Sequence, residues 1–213
     1  MPGDLRKVSL LAIVFFGFNL WGLGLALVAS LAVLAVPGRD IKLSESRVEG
    51  YRNFGTKLWN AARFCEMNEC VRKRDFDPAS ATLTVNKWIV AETARVAAEV
   101  TDSLTAYRFN DAAGAVYHFV WDVFCDWYLE FIKPLLNGND DEAKTETRDT
   151  AAWGLDRILQ LLHPFMPFIT EELWARMAEH AVPRRSSLML SAWPELQSVP
   201  QDESARAEMQ WLI

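Results

Sequence analysis

Cysteine, histidine and net positive charge are all scarce in this chain. Cys65, Cys70 and Cys125 make an odd number, with neither CxxC nor zinc-ligand spacing. Structural disulfides are therefore not expected, which suits a reducing compartment. His118, His163 and His180 are scattered without an H-E-x-x-H or E-x-x-H pattern. They read as structural or surface groups, and no metal site is expected. There is no Gly-rich phosphate loop and no nucleophile with a matched base, so no catalytic constellation can be assigned. The formal net charge of −6 argues against a nonspecific nucleic-acid binder, which carries a basic footprint. It leaves open a protein that reads unstacked loop bases, where stacking and hydrogen bonding carry the recognition.

What the chain does have is apolar mass. Of its 213 residues 51% are hydrophobic, including nine Trp and twelve Phe, which excludes global disorder. Val8–Val36 runs without a single charge and exceeds the roughly 20 residues that span a bilayer. It is too long for a signal-peptide apolar core, so residues 8–36 are expected to form a transmembrane helix or signal anchor, with a buried core helix as the alternative. Arg39, Lys42 and Arg47 follow the run and Arg6 and Lys7 precede it, a bias that places the carboxyl-terminal part in the cytosol. The expected organisation is an apolar segment over 1–36, an all-α helical bundle over 37–182, and a carboxyl-terminal extension over 183–213 that looks cut short.

Within the bundle, Pro37-Gly38 is a break. Ser44 or Ser46 is a candidate cap for a first helix running to about Glu69. Val71–Leu83 reads as a loop whose Arg72, Lys73 and Arg74 are solvated or touch phosphate. Val85, Ile89, Val96, Val100 and Leu104 form one stripe and predict a second helix over Thr84–Ala106. Asn110 or Asp111 is expected to cap a third, densely aromatic and central helix ending near Leu135. Its Asp122, Asp126 and Glu130 read as an exposed or polar seam rather than a metal site. Pro134–Lys144 is expected to be loop, Thr147–Leu162 a fourth helix, and Phe168–Glu179 a fifth with Trp174 inward. A short strand is possible at Leu188–Leu190, and a helical pattern restarts at Gln201.

The stretch that organises the rest is Gly50–Cys70. Phe54, Leu58, Ala61 and Cys65 recur at three- and four-residue spacing and predict a core face. Arg52, Lys57, Asn60, Arg63 and Phe64 lie elsewhere around the same rod. Such cations hold phosphate, an amide reads a base edge and an aromatic ring stacks on an unstacked base. The alternative is an ordinary amphipathic helix with a solvated basic face.

GRDIKLSESRVEGYRNFGTKLWNAARF resembles the start of the anticodon-binding helical domain of valyl-tRNA synthetases, which are class I aminoacyl-tRNA synthetases. The resemblance continues through Asn86-Lys87-Trp88-Ile89, Tyr107–Ala113, Trp127–Glu130 and Leu162–Trp174 to Ser191–Pro194, in order. It covers roughly Leu31 to Ile213. It implies a helical bundle that contacts the anticodon arm of valine tRNA, with Arg52, Asn53, Lys57, Asn60, Arg63 and Phe64 as the RNA-binding residues. Arginine and lysine would place phosphates, asparagine would read a base edge, and Phe64 would stack or join the core. The H-I-G-H and K-M-S-K-S signatures of adenylate formation are absent from this sequence. ATP and Mg are therefore implied only for a catalytic domain outside this chain, no cofactor is expected here, and the chain alone is expected to be inactive as a ligase. A separate catalytic chain as partner stays open. Two other readings remain: a membrane-tethered helical interaction module, and a nonfunctional truncated gene product.

Overall fold

In the computed structural model, residues 45–179, 181, 183–184 and 186–213 are described, and among them the chain is helical with no strand. Apolar residues at helical spacing account for each long segment. Helix α1 covers Glu45–Met67 and buries Phe54, Leu58, Ala61 and Cys65, the four residues expected to face the core. It stops where Glu69 takes a left-handed φ of 58° and Cys70 N–H bonds back to the Cys65 carbonyl at 2.9 Å. After a 3-10 turn at Pro78–Ser80, α2 covers Thr84–Thr105, within a residue of the expected span.

Helix α3, Phe109–His118, runs without a break into a π-helical stretch, Phe119–Tyr128, and then into α4, Leu129–Asn137. This rod is the expected aromatic helix. Phe119, Phe124 and Tyr128 are almost wholly buried, while Tyr117, Trp121, Trp127 and Phe131 pack on the core with one edge exposed. In the π stretch the Leu129 N–H reaches back five residues to the Phe124 carbonyl. Three details in and just after the rod differ from expectation. The rod starts at Phe109 with Arg108 at the cap position and no side-chain cap, so Asn110 and Asp111 lie inside the helix rather than before it. Pro134 does not end the helix, since Ile132 and Leu136 are buried on either side of it and hold the last turn in place.

The third detail is the start of α5, which covers Asp141–Leu162, six residues earlier than expected. The Asp140 carboxylate accepts from Glu142 and Ala143 N–H, both at 3.0 Å, and Asp141 and Glu142 suit the positive helix end. Helix α6 is Pro167–Arg176, with Trp174 buried. Leu188–Leu190 is a 3-10 turn and not a strand. The Glu171 carboxylate takes the Leu188 and Met189 N–H groups, at 2.8 and 3.1 Å, that a strand would need for pairing. Helix α7, Glu203–Leu212, is capped by Asp202 and returns to α2. There Ala205 and Met209 are buried, and Arg206 lies 3.3 Å from Glu92.

No described helix is long and apolar enough to cross a membrane. The expected span at 8–36 lies outside the described residues, as do the candidate cap Ser44 and His180.

Candidate nucleic-acid interface

At 3.6 residues per turn, the six expected RNA-binding residues of α1 fall within an arc of about 140°, opposite the core face. They are local in sequence, so the helix alone is enough to bring them together. Their environments differ. Arg52, Asn53, Asn60 and Arg63 are exposed, while Lys57 and Phe64 are half-buried. Arg52 stands 3.5 Å from Glu49 one turn away, an exposed pair of little energetic weight. Arg63 has no ion-pair partner among the described residues, and the Asn53 and Asn60 side chains make no hydrogen bond there. These three side chains are outward and unengaged.

Lys57 is committed to the fold. Its Nζ donates to Asp126 at 2.5 Å and lies 3.8 Å from the centre of the Trp121 ring. A cation over an indole face and against a carboxylate is doubly satisfied, so Lys57 clamps α1 to the π stretch. Beside it runs an aromatic tier in which Tyr117 stacks on Phe54 at 4.8 Å and on Trp121 at 5.9 Å. Phe64 packs partly on the core and keeps part of its ring in solvent. Its backbone carbonyl accepts from Asn68 Nδ2 at 2.8 Å, which fixes the last turn of the helix beneath the ring.

The acidic residues along the rod are paired one by one: Asp122 with His118, Asp126 with Lys57, Glu130 with Lys133. Among the described residues no group of three or more metal-ligating side chains converges. The cysteines are buried and unpaired. Burial pushes the Cys125 thiol up to about 12. A hydrogen bond with Cys70, and then burial, push Cys65 well up. Neither is a nucleophile. His163 is held low by burial against the opposing pull of Glu171, and its Nδ1 lies 2.8 Å from the Thr170 hydroxyl, a structural contact.

The sequence expectation did not include the partners that Lys57 finds on the rod, nor a knot of arginines around Asp156. In that knot Arg72 and Arg184 both meet Asp156 Oδ2, at 3.1 and 2.6 Å. No local pattern links positions so far apart in the chain.

Residues 86–213 match the family described as the anticodon-binding domain of tRNA ligase. The chain belongs to that family. The match begins at α2 and so does not itself include α1. Curated relatives extend the likeness to it. The valine–tRNA ligase of Caulobacter vibrioides is 58% identical over 184 residues, 86% of this chain and 20% of the relative. Those of Nitrobacter winogradskyi and Brucella suis are each 53% identical over 88% of this chain. An aligned stretch of that length necessarily contains α1. The chain spans about a fifth of the length of these relatives. Among solved structures, the LeuRS of Agrobacterium radiobacter K84, in a ternary complex with tRNA and LeuAMS, superposes with a TM-score of 0.64. It covers 82% of this chain at 17% identity, which establishes a shared fold and nothing finer.

Proposed function

We propose that this anticodon-binding domain binds the anticodon arm of valine tRNA through the outward face of α1, as the recognition part of a valine–tRNA ligase working in the cytosol. The observation that carries the reading is that face. Exposed Arg52, Asn53, Asn60 and Arg63 and the half-exposed Phe64 ring share one side of a rigid helix, in a chain of this family. Arg52 and Arg63 would hold phosphates, Asn53 and Asn60 would read base edges, and Phe64 would offer its free ring edge to an unstacked base. Lys57 reaches RNA only by releasing Asp126, so its main part is to set the pitch of α1 against the rod.

Aminoacylation itself is proposed for the whole ligase and not for this chain. The H-I-G-H and K-M-S-K-S signatures that would hold ATP and Mg are not in the sequence. The expected result is no valine-dependent ATP–pyrophosphate exchange by the chain on its own. The alternative of a membrane-tethered helical module rests on the uncharged run at 8–36, and extraction of membranes with alkaline carbonate tests it.

The deciding experiment titrates the chain against valine tRNA and an unrelated tRNA at low and moderate salt. Preference for valine tRNA that weakens with Arg63→Ala or Phe64→Ala supports the reading. Equal, weak binding to both RNAs overturns it.

A further inference from the structure

Away from the α1 face, one cluster carries more positive charge than the fold uses. Asp156 on α5 is 4% exposed and is gripped from two sides. Arg184 donates to both of its oxygens, at 2.6 Å each, and its Cζ lies over the Trp174 ring, 3.6 Å from the centre. Arg72, from the loop after α1, reaches Oδ2 at 3.1 Å. One carboxylate thus serves two guanidinium groups. The next residue, Arg157, adds a third. It is half-buried, makes no ion pair among the described residues, and its Nε is shut off from solvent without a hydrogen-bond acceptor. Burial is the largest influence on Arg157 and disfavours its cation; Asp156 opposes this, while the Arg72 and Arg184 charges add to it. Three arginines within electrostatic reach of each other therefore share one anion. Arg74, two residues beyond Arg72, is exposed and has no ion-pair partner among the described residues.

Only the Nε of Arg157 is shut in: its terminal nitrogens reach solvent and make no hydrogen bond among the described residues, so the group has donors to spare. An oxyanion with several lone pairs would take them, and Arg is the side chain whose planar fork matches phosphate. Arg184 is almost fully buried and engaged by Asp156 and the Trp174 carbonyl, so it supplies field rather than direct contacts. Arg157, with Arg72 at 29% exposure and Arg74 outside, is left to touch the ligand.

We propose that Arg157, Arg72 and Arg74, backed by Arg184, form a phosphate-binding site at the seam between α5 and the loop that follows α1. The site takes a phosphate group whether it is free or part of an RNA backbone. Its affinity for free phosphate does not depend on the tRNA reading above. Only the RNA source rests on that reading.

The test uses the whole chain and sodium pyrophosphate as the probe. Pyrophosphate at millimolar concentration should raise the melting temperature above a sodium chloride control of equal ionic strength. Arg157→Gln should abolish the rise, and Arg157→Lys should keep part of it. No rise in the wild type overturns the proposal, whatever the variants do, and so does a full rise in Arg157→Gln. Should Arg157→Gln fail to fold, Arg74→Gln, at an exposed position, must weaken the pyrophosphate effect severalfold, and an unchanged effect overturns the site. The RNA source is tested by salt titration with two unrelated tRNAs. If a backbone phosphate sits here, Arg157→Gln lowers affinity for both equally and reduces the slope of log K against log salt by about one. An unchanged slope in Arg157→Gln, with the pyrophosphate rise present in the wild type and lost in the variant, supports the site and assigns it to free phosphate. Loss of discrimination between the tRNAs, by contrast, belongs to the α1 face.

Discussion

Asn86 at the start of α2 and Asn60 on the outward side of α1 are the same side chain in opposite surroundings. Asn86 is fully buried, and every polar atom it has is used. Its amide donates to Glu146 at 2.9 Å and to the Thr147 hydroxyl at 3.2 Å, and its carbonyl oxygen accepts from the Tyr128 hydroxyl at 3.1 Å. Glu146 in turn accepts from Leu83 N–H and the Thr82 hydroxyl, so one network ties α2, the π stretch and α5 together. Asn60 is exposed and makes no hydrogen bond among the described residues. A polar group satisfied inside the fold has no capacity left for a ligand. One left unengaged on a rigid face costs the fold nothing and is available. Residue type therefore does not separate a committed asparagine from an available one, whereas partner count does.

The sharpest way to break this contrast is Asn86→Ala. It leaves the buried Tyr128 hydroxyl without its acceptor and strips Glu146 of a donor, so urea unfolding should show a loss of about 2–4 kcal/mol. The preference for valine tRNA, measured where the variant is still folded, should stay as it was. Phe64→Ala tests the other side. Removal of a stacking ring should weaken binding to valine tRNA by about 1–3 kcal/mol. Its half-buried contact should cost stability about 1 kcal/mol. Equal loss of stability and binding would make Phe64 a core residue after all. Arg63→Gln should leave stability within about 0.5 kcal/mol and reduce the salt slope of RNA binding by about one.

The smallest expected effect is a pH dependence on the buried side. At Glu146 burial raises the pKa, but hydrogen bonds from Thr82, Asn86 and Leu83 outweigh it, and the net shift is below the ordinary value of 4.5. A carboxylate held lower in the folded state contributes stability above 4.5 that disappears as pH falls through the depressed folded value. The melting temperature should therefore drop as pH is lowered through that acid range. Glu146→Gln should flatten this part of the curve.

Much of the architecture follows from spacing alone. The inward phase of α1, the extent of α2 and the aromatic density of the central rod are all carried by residues within a few turns of each other. Periodicity failed where a single residue decides an end. Asp140 sits in a run of Asn, Gly and Asp that reads as loop, yet its carboxylate starts α5. Pro134 reads as a stop, yet buried neighbours keep the helix going. Leu188–Leu190 reads as a strand, yet Glu171 takes its donors. The π stretch has the composition of an ordinary buried helix, and nothing in its pattern announces the wider turn. On the candidate face the same division holds. The six residues share an arc because one helix orders them, but the commitment of Lys57 to Asp126, 69 positions away, has no local trace.

Helical phase, capping chemistry and the family motifs are short-range properties, and they were enough to define a helical architecture among the described residues with one outward polar face on α1. Which cations on that chain remain available was settled by packing. Lys57 is taken by the rod, Arg63 is left outside, and Arg72, Arg157 and Arg184 are drawn from three distant segments around one aspartate. The physical reason is that a charge is neutralised by whatever lies within a few ångströms of it, and only the folded chain sets those distances.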